Sequence, residues 1–325
     1  MSATLPPFTV SPQEAGHTLA KVLRSRLGGP SWNDVRKLIA ARRVKVGDAI
    51  CSDDARRVKE DEVVVLLEHP KPLPRVAHRD RLVIRHLDEH VVVVEKPAGV
   101  NTVRHPAELE WSEERRELDP TLEDLTQWAI AKQLNRSSHD LQRLRIVHRL
   151  DKETSGLVVF ARSVLAEREL GAQFRKHTVI RRYVTVVPGI YSPRTITTTL
   201  IPDRGDGRRG STNQPDSGGK VATTHITVEE RFTGYTLLSC RLETGRTHQI
   251  RIHLSESGHP VCGDKVYVKK RDGTMFDDKS GAPRLALHAT ELGFTHPATQ
   301  AAMHWDMPMP GDIVKFVERL RSGVS

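Results

Sequence analysis

The segment RIVHRLDKETSGLVVFARS, residues 145–163, sets a lone carboxylate, Asp151, among charges. His148 and Arg149 precede it, Lys152 follows, and an apolar run from Gly156 to Ala161 comes next. A carboxylate so placed can start a turn by accepting bonds from nearby backbone N–H groups. It can equally pair with a cation, ligate a metal or act as a nucleophile. If RIVHRLD is extended, Arg149 and Asp151 share one face and His148 and Leu150 the other. These charges adjoin a strand that must enter the core. Partly buried charges need partners, and such groupings collect at reactive sites.

A second constellation is RLETGRTHQIRIHLSESGHP, residues 241–260. Gly245 permits a sharp turn, and Thr247 is placed to cap the helix that follows. Arg246 then sits at the positive end of that helix, where a cation is disfavoured by some tenths of a kcal/mol. An arginine there points to an anion close by, and Asp151 is the candidate; an exposed arginine without a partner is the plainer alternative. His248, His253, His259 and Cys262 form a loose H-x4-H-x5-H-x2-C series. Residues five apart on a helix diverge by roughly 140°, unlike ligands at i and i+4, so no metal site is expected. Tyr183, in RRYVTVVPG, is one of four tyrosines. It reads either as a core aromatic or, beside Arg181 and Arg182, as a platform on which a base could stack. GxxxxGK[ST] does not occur, and the single GxGxxG, GDGRRG at 205–210, falls in a polar loop rather than between a strand and a helix, so no nucleotide cofactor is expected.

Several elements must hold these residues. Residues 11–68 read as a small module of two helices followed by strands. Leu19, Val22 and Leu23 recur at helical spacing, and Ser31 is a candidate N-cap for a second helix carrying Val35 and Ile39. A Pro- and charge-rich linker, residues 69–83, leads to a larger domain over 84–325. There, VVVVEK and GLVVFA read as buried strands, TLEDLTQWAIAKQLN as a helix capped by Thr121, and VATTHITVEERFTGYTLLSCRLET as a long hairpin. DRGDGRRGSTNQPDSGGK reads as a mobile loop. Strands outnumber helices and turns are short. The expected class is therefore α+β, with a mixed, mostly antiparallel sheet flanked by helices.

At 325 residues the chain can bury one large core plus a small one. Its formal net charge is +9, and the charge is clustered. Lys21, Arg24, Arg26, Arg36, Lys37, Arg42, Arg43 and Lys45 fall in one stretch whose sole acid is Asp34. That one-sided bias suits a polyanion, since basic groups gain affinity by displacing counterions from phosphates. Arg36, Lys37, Arg42 and Arg43 are the candidate nucleic-acid contacts. Three separated cysteines argue against a disulfide framework. The N-terminus lacks the pattern of a signal peptide, and no run is apolar enough for a membrane helix. The expectation is a cytoplasmic protein with a nucleic acid as partner, no membrane and no obligate protein partner.

From about residue 84 onward the chain resembles the RluA family of pseudouridine synthases. The likeness rests on EKPAGV, VHRLDKETSGLVVFAR, RRYVTVVPG, GGKVATTHITV, LLSCRLETGRTHQIRIHLSESGHPVCGD, RLALHATELGFTHP and MPMPGDIVKFVERL, in that order. Residues 11–68 separately resemble the small RNA-binding domain named after ribosomal protein S-four. The first resemblance implies a pseudouridine synthase fold and an isomerase that needs no cofactor or metal. It implies that Asp151 is the essential aspartate and Arg149 the residue that fills the space of an extruded base. By the same likeness, Tyr183 stacks on the uracil and can take the proton from its carbon five, and Arg246 pairs with the aspartate. His148 falls beside Arg149 as a further substrate contact. The two-domain layout resembles synthases acting on large-subunit ribosomal RNA. Transfer RNA is the alternative target, and a non-catalytic ribosome-associated RNA-binding protein is the competing class. Two departures bear on target choice: the acidic insert AELEWSEERRELDP after EKPAGVNTVRHP, and the long loop at 203–220.

Overall fold

The computed structural model describes residues 5–41, 43–47, 49–51, 54, 56–68, 81–108, 110–111, 116, 119–204, 207–214, 218–268 and 275–323. Most of the expected linker and Arg42 lie outside the described residues. The chain divides into two compact units, Met1–Arg75 and Val76–Ser325.

The first unit holds β1 (Phe8–Thr9), α1 (Leu19–Arg26), α2 (Trp32–Ala40), β2 (Val44–Val46), β3 (Ala49–Ile50) and β4 (Val63–Leu66). Thr18 caps α1 by accepting from the Lys21 N–H, and Ser31 caps α2 by accepting from the Asp34 N–H. Leu19, Val22 and Leu23 pack with Val35, Ile39, Val44 and Val64. The four strands run in the order β1-β4-β2-β3, antiparallel throughout. Two of the basic residues meet acids that are remote in sequence: Arg26 pairs with Glu14 at 2.7 Å and Arg36 with Asp54 at 3.1 Å. Arg43 donates to the Leu67 carbonyl, while Lys37 is exposed. The positive charge of this unit is therefore smaller than its helices alone suggest.

The second unit begins with β5 (Ile84–Leu87), β6 (Val91–Lys96), α3 (Leu122–Leu134), β7 (Arg145–Ile146), β8 (Ser155–Ala161) and α4 (Val164–Arg175). It continues with β9 (Ile180–Pro188), β10 (Arg194–Ile201), β11 (Gly210–Thr212), β12 (Lys220–Phe232) and β13 (Tyr235–Leu242). It closes with α5 (Gln249–Glu256), β14 (Leu287–Thr295), β15 (Ala302–Asp306) and α6 (Gly311–Ser322). The sheet runs β11-β10-β12-β13-β9-β14-β8-β6-β5, with β15 on β14 and β7 on β8. Among the described pairings only β8 with β14 is parallel. This is the α+β, mostly antiparallel architecture expected from the sequence.

Both faces of the sheet centre are covered, which explains the unbroken apolar runs. Val92, Val94, Val158 and Phe160 face a core that includes Leu122 and Leu125 of α3 and Phe316 of α6. Val91, Val93, Leu157 and Val159 face the other side, against Ala166 and Leu170 of α4. The stretch expected to be a mobile loop departs from that reading. Gly210–Thr212 form β11 against β10, and the Ser211 N–H and hydroxyl both donate to the Glu256 carboxylate. A carboxylate at the end of α5 supplies partners that the polar segment itself lacks. No helix among the described residues is long and apolar enough to cross a membrane.

Candidate active site

Asp151 stands at a turn whose flanks are pinned from the segment after β6. The Thr102 hydroxyl donates to the Leu150 carbonyl at 2.7 Å and accepts from the Leu150 N–H at 3.1 Å. One residue past Asp151, the Lys152 carbonyl accepts from the Gly99 N–H. It also accepts from Lys96 Nζ at 2.9 Å, and the same ammonium donates to the Thr154 and Pro97 carbonyls. Lys96 is fully buried. Burial pushes its pKa down to about 7, against the opposing pull of Asp151 and Glu153. The turn itself closes with the Thr154 N–H on the Asp151 carbonyl, so Asp151 is a turn residue as well as a cleft residue.

The cleft that Asp151 enters encloses about 590 Å3, a size suited to a nucleotide. Arg149, His148, Tyr183 and Arg246 line it with Asp151. Five expected site residues thus come together from β9, the turn before β8 and the segment before α5. Their contacts differ from expectation at one point. The guanidinium that reaches Asp151 is that of Arg251, whose Nη1 is 3.3 Å from Asp151 Oδ2. Arg246 instead donates from Nε to the Val221 carbonyl. The helix start explains the exchange. Thr247 is not the cap; His248 occupies that position with φ 60° and no capping bond from its side chain. The start is held by Gln249, whose Oε1 accepts from the Thr244 hydroxyl and the Arg246 N–H. Its Nε2 donates to the Thr223 carbonyl and the Thr224 hydroxyl. That anchoring rolls Arg251 toward the carboxylate.

Asp264 completes the group. It grips Arg251 through two bonds, Nε to Oδ2 at 2.7 Å and Nη2 to Oδ1 at 2.9 Å. Burial alone would raise the Asp264 pKa; the bonds from Arg251 outweigh it and hold the carboxyl below its usual range. Tyr183 pairs in register with Cys240 on β13 and Ala289 on β14. Burial raises its pKa, and Asp151 adds to the rise while Arg181 opposes it, so it is a phenol at neutral pH. His148 accepts from the Val159 N–H and stacks on Phe174 at 4.8 Å. Burial, with Arg181 nearby, pushes it down to about 3. It braces the cleft wall as a neutral ring. Arg149 is exposed at the cleft. Arg36, Lys37 and Arg43 belong to the first unit.

Lys96, Thr102, Arg251, Asp264 and Gln249 did not stand out in sequence as site residues. The sequence does carry a signal for Lys96: in VVVVEK a lysine closes a strand that opens with four valines, a buried charge in need of partners. The loose histidine series does not converge. His253 lies between the Thr198 and Thr224 hydroxyls, and His259 bonds the Pro188 carbonyl. Elsewhere in the unit, His86 and His296 meet Asp88 at 2.6 and 3.0 Å. His296 Nδ1 accepts from the Ala298 and Thr299 N–H groups. Its Nε2 therefore carries the proton and donates to Asp88, which is not the state of a metal-ligating nitrogen.

A carboxylate held by a guanidinium, in a cleft also lined by a buried phenol, can act on a sugar carbon while an aromatic base is held beside it. Comparisons with known proteins agree with that chemistry. Residues 90–256 match the family model described as RNA pseudouridylate synthase. A Bacillus subtilis protein named uncharacterized RNA pseudouridine synthase YlyB is 35% identical over 317 residues, 97% of each chain. The ribosomal large subunit pseudouridine synthase D of Zymomonas mobilis is 34% identical over 94% of each chain. The solved structure of human RNA pseudouridylate synthase domain containing 4 shares the fold. Its TM-score is 0.56 at 24% identity, over 73% of this chain and 92% of that one. With a matched segment that runs from β6 through α5 and so carries both Asp151 and the arginine that meets it, this chain belongs to the RNA pseudouridylate synthase family.

Proposed function

We propose that this protein converts uridine to pseudouridine in large-subunit ribosomal RNA, with Asp151 as the group that acts on the ribose. One observation carries the reading: Asp151 is a carboxylate only 16% exposed, fixed at the floor of the cleft by Arg251. The reaction breaks the bond from N1 to C1′, turns the uracil and forms a bond from C5 to C1′. A proton leaves C5 and one returns to N1, so atoms balance without a co-reactant. Asp151 serves as nucleophile at C1′ or as base at C2′, and both routes need the same carboxylate in the same place. Arg251 holds its orientation. Tyr183 stacks on the uracil and enters the reaction as the phenol. Arg149 fills the gap that the flipped nucleotide leaves, offsetting an unstacking cost of a few kcal/mol. Arg246, tied to the Val221 carbonyl, is assigned to the RNA backbone rather than to the carboxylate.

The name carried by the Zymomonas mobilis relative supports a ribosomal target. The sequence resemblance of residues 11–68 to the S-four type of RNA-binding domain motivates assigning RNA contacts to Arg36, Lys37, Arg42 and Arg43. Three buried cysteines, none in a disulfide, fit action in the reducing cytoplasm. Two measurements test the proposal. Asp151→Asn should bind RNA and convert no uridine; turnover by that variant removes Asp151 from the chemistry. Mapping pseudouridine in total RNA with and without the gene should show loss at large-subunit sites. Loss from transfer RNA instead would redirect the target and leave the chemistry standing.

A further inference from the structure

Asp151 faces a second donor besides Arg251. His248 Nε2 lies 3.8 Å from Asp151 Oδ1. Its other ring nitrogen, Nδ1, is 2.7 Å from the Tyr267 hydroxyl. Tyr267 is 3% exposed, and its ring meets that of His248 edge-on at 5.4 Å. The Arg251 guanidinium lies over the Tyr267 ring at 4.9 Å. The Tyr267 backbone is fixed as well, its N–H donating to Asp264 Oδ1, on the carboxylate that grips Arg251. One short segment, Asp264 to Tyr267, therefore orders both groups that face Asp151.

The tautomer of His248 follows from these contacts. With the proton on Nδ1, the ring would donate to Tyr267 and turn the Nε2 lone pair toward a carboxylate, which is repulsive. With the proton on Nε2, the Tyr267 O–H donates to Nδ1 and the Nε2–H points at Asp151. Only the second arrangement sets a donor against an acceptor at both ends. Burial lowers the His248 pKa despite the pull of Asp151, and burial pushes Tyr267 up to about 12. Both groups are neutral at pH 7. His248 also sits at φ 60°, a conformation that non-glycine residues rarely adopt and that persists only where the surroundings enforce it. Its side chain makes no capping bond, so capping does not account for it.

We propose that His248 is a positioning residue for Asp151, held in its Nε2–H tautomer by the Tyr267 hydroxyl, and that this N–H closes on Asp151 Oδ1 when uridine fills the cleft. The inference rests on the proposed role of Asp151 and deepens it. Hydrogen bonds at reactive sites are commonly long before substrate binds. With Arg251 on Oδ2 and His248 on Oδ1, rotation of the carboxylate is fixed and its remaining lone pairs are aimed at the ribose. No proton is transferred to His248 in this role; the ring begins and ends the cycle neutral.

Tyr267→Phe tests it, because the variant keeps the ring and removes only the hydroxyl. Nitrogen-15 NMR of the histidine-labelled full chain should show His248 protonated at Nε2 in the unaltered protein and mixed between tautomers in the variant. On an RNA substrate, kcat should fall about tenfold to a hundredfold with KM little changed, the cost of a misplaced reactive group. His248→Gln, whose amide nitrogen falls near the Nε2 position, should retain more turnover than His248→Ala. An Nδ1–H signal in the unaltered protein would overturn the proposal. So would a Tyr267→Phe protein whose kcat is unchanged, or one that loses only KM. The tautomer is read without turnover, so it tests this inference separately. Failure of the Asp151 reading itself would appear as an active Asp151→Asn protein.

Discussion

Gly156 lies so close to Ala289 that a Cβ built on it would fall 2.3 Å from the Ala289 carbonyl oxygen and 2.6 Å from its nitrogen. The two residues are partners in the parallel pairing of β8 with β14, and Gly156 has φ 133°. Its site is therefore closed to a side chain twice over, by backbone contact and by conformation. The turn bearing Asp151 runs straight into β8, so this contact sets the depth of the carboxylate. Gly156→Ala should destabilise the second unit by about 3 kcal/mol or more. Denaturant unfolding of the full chain measures this, and a loss below about 1 kcal/mol would show that the strands part easily.

Lys96 ties the same turn from below. Its ammonium supplies donors to three backbone carbonyls, on Pro97, Lys152 and Thr154. Lys96→Met keeps the stem and removes this donor from all three; the Lys152 carbonyl keeps the Gly99 N–H, and the other two cost about 1–3 kcal/mol for each that stays buried and unpaired. Removing the desolvated charge offsets part of that cost. The net expectation is a loss of about 2–4 kcal/mol. Turnover should fall further than folded fraction, because the turn that presents Asp151 loosens. A variant with full turnover and unchanged unfolding midpoint would show that Thr102 and Gly99 suffice to hold the turn.

The Arg251 and Asp264 pair carries a different prediction. Asp264 is fully buried, and removing one member of a buried pair leaves the other charge uncompensated, at about 3–5 kcal/mol. Asp264→Asn should therefore destabilise the fold and also release Arg251 from the orientation in which it meets Asp151. Turnover per folded molecule should drop about tenfold to a hundredfold, with RNA affinity little affected. Filter binding alongside single-turnover assays separates the two effects. Equal losses in both would assign Arg251 to RNA binding instead.

The residues that stood out in sequence were those whose types are conspicuous in a local window. Asp151 is a carboxylate in a basic neighbourhood, Arg149 is on its face, and Tyr183 follows two arginines. All of them meet in the cleft. The choice between Arg246 and Arg251 was not visible, and α5 shows why. Every residue from Gln249 to Ser255 is buried, so the helix has no polar stripe to mark which side meets Asp151. Its rotation is set by Gln249 reaching Thr223, Thr224 and Thr244, contacts that depend on two strands being in place. Asp264 and Tyr267 come from a loop with no periodic signal at all. In the first unit the same limit appears with charge: Glu14 and Asp54 partly neutralise helices whose own sequence is almost purely basic.

Acid should unfold this protein earlier than its carboxylates alone would require. His253 and His288 are buried, each pushed by burial down to about 4 from the ordinary 6.5. His288 Nδ1 faces the Ser155 hydroxyl and its Nε2 the Met307 carbonyl. His253 lies between two threonine hydroxyls. In the unfolded chain both rings take up a proton near pH 6.5; in the fold they do not until about pH 4. Between those values the unfolded state binds more protons, so stability falls as pH drops through the window. At about pH 5.5 each ring should have cost about 1.4 kcal/mol relative to neutral pH. The paired carboxylates contribute lower down, since Asp88 is held at about 2 although burial opposes the bonds from His86 and the backbone that lower it. Unfolding free energy measured from pH 7 to 4.5 should therefore slope by close to two protons from these rings, with His148 adding to it. In His253→Asn the slope should lose one proton, even if the variant is less stable at every pH. An unchanged slope would mean that His253 is already protonated in the fold, held by its two hydroxyl neighbours.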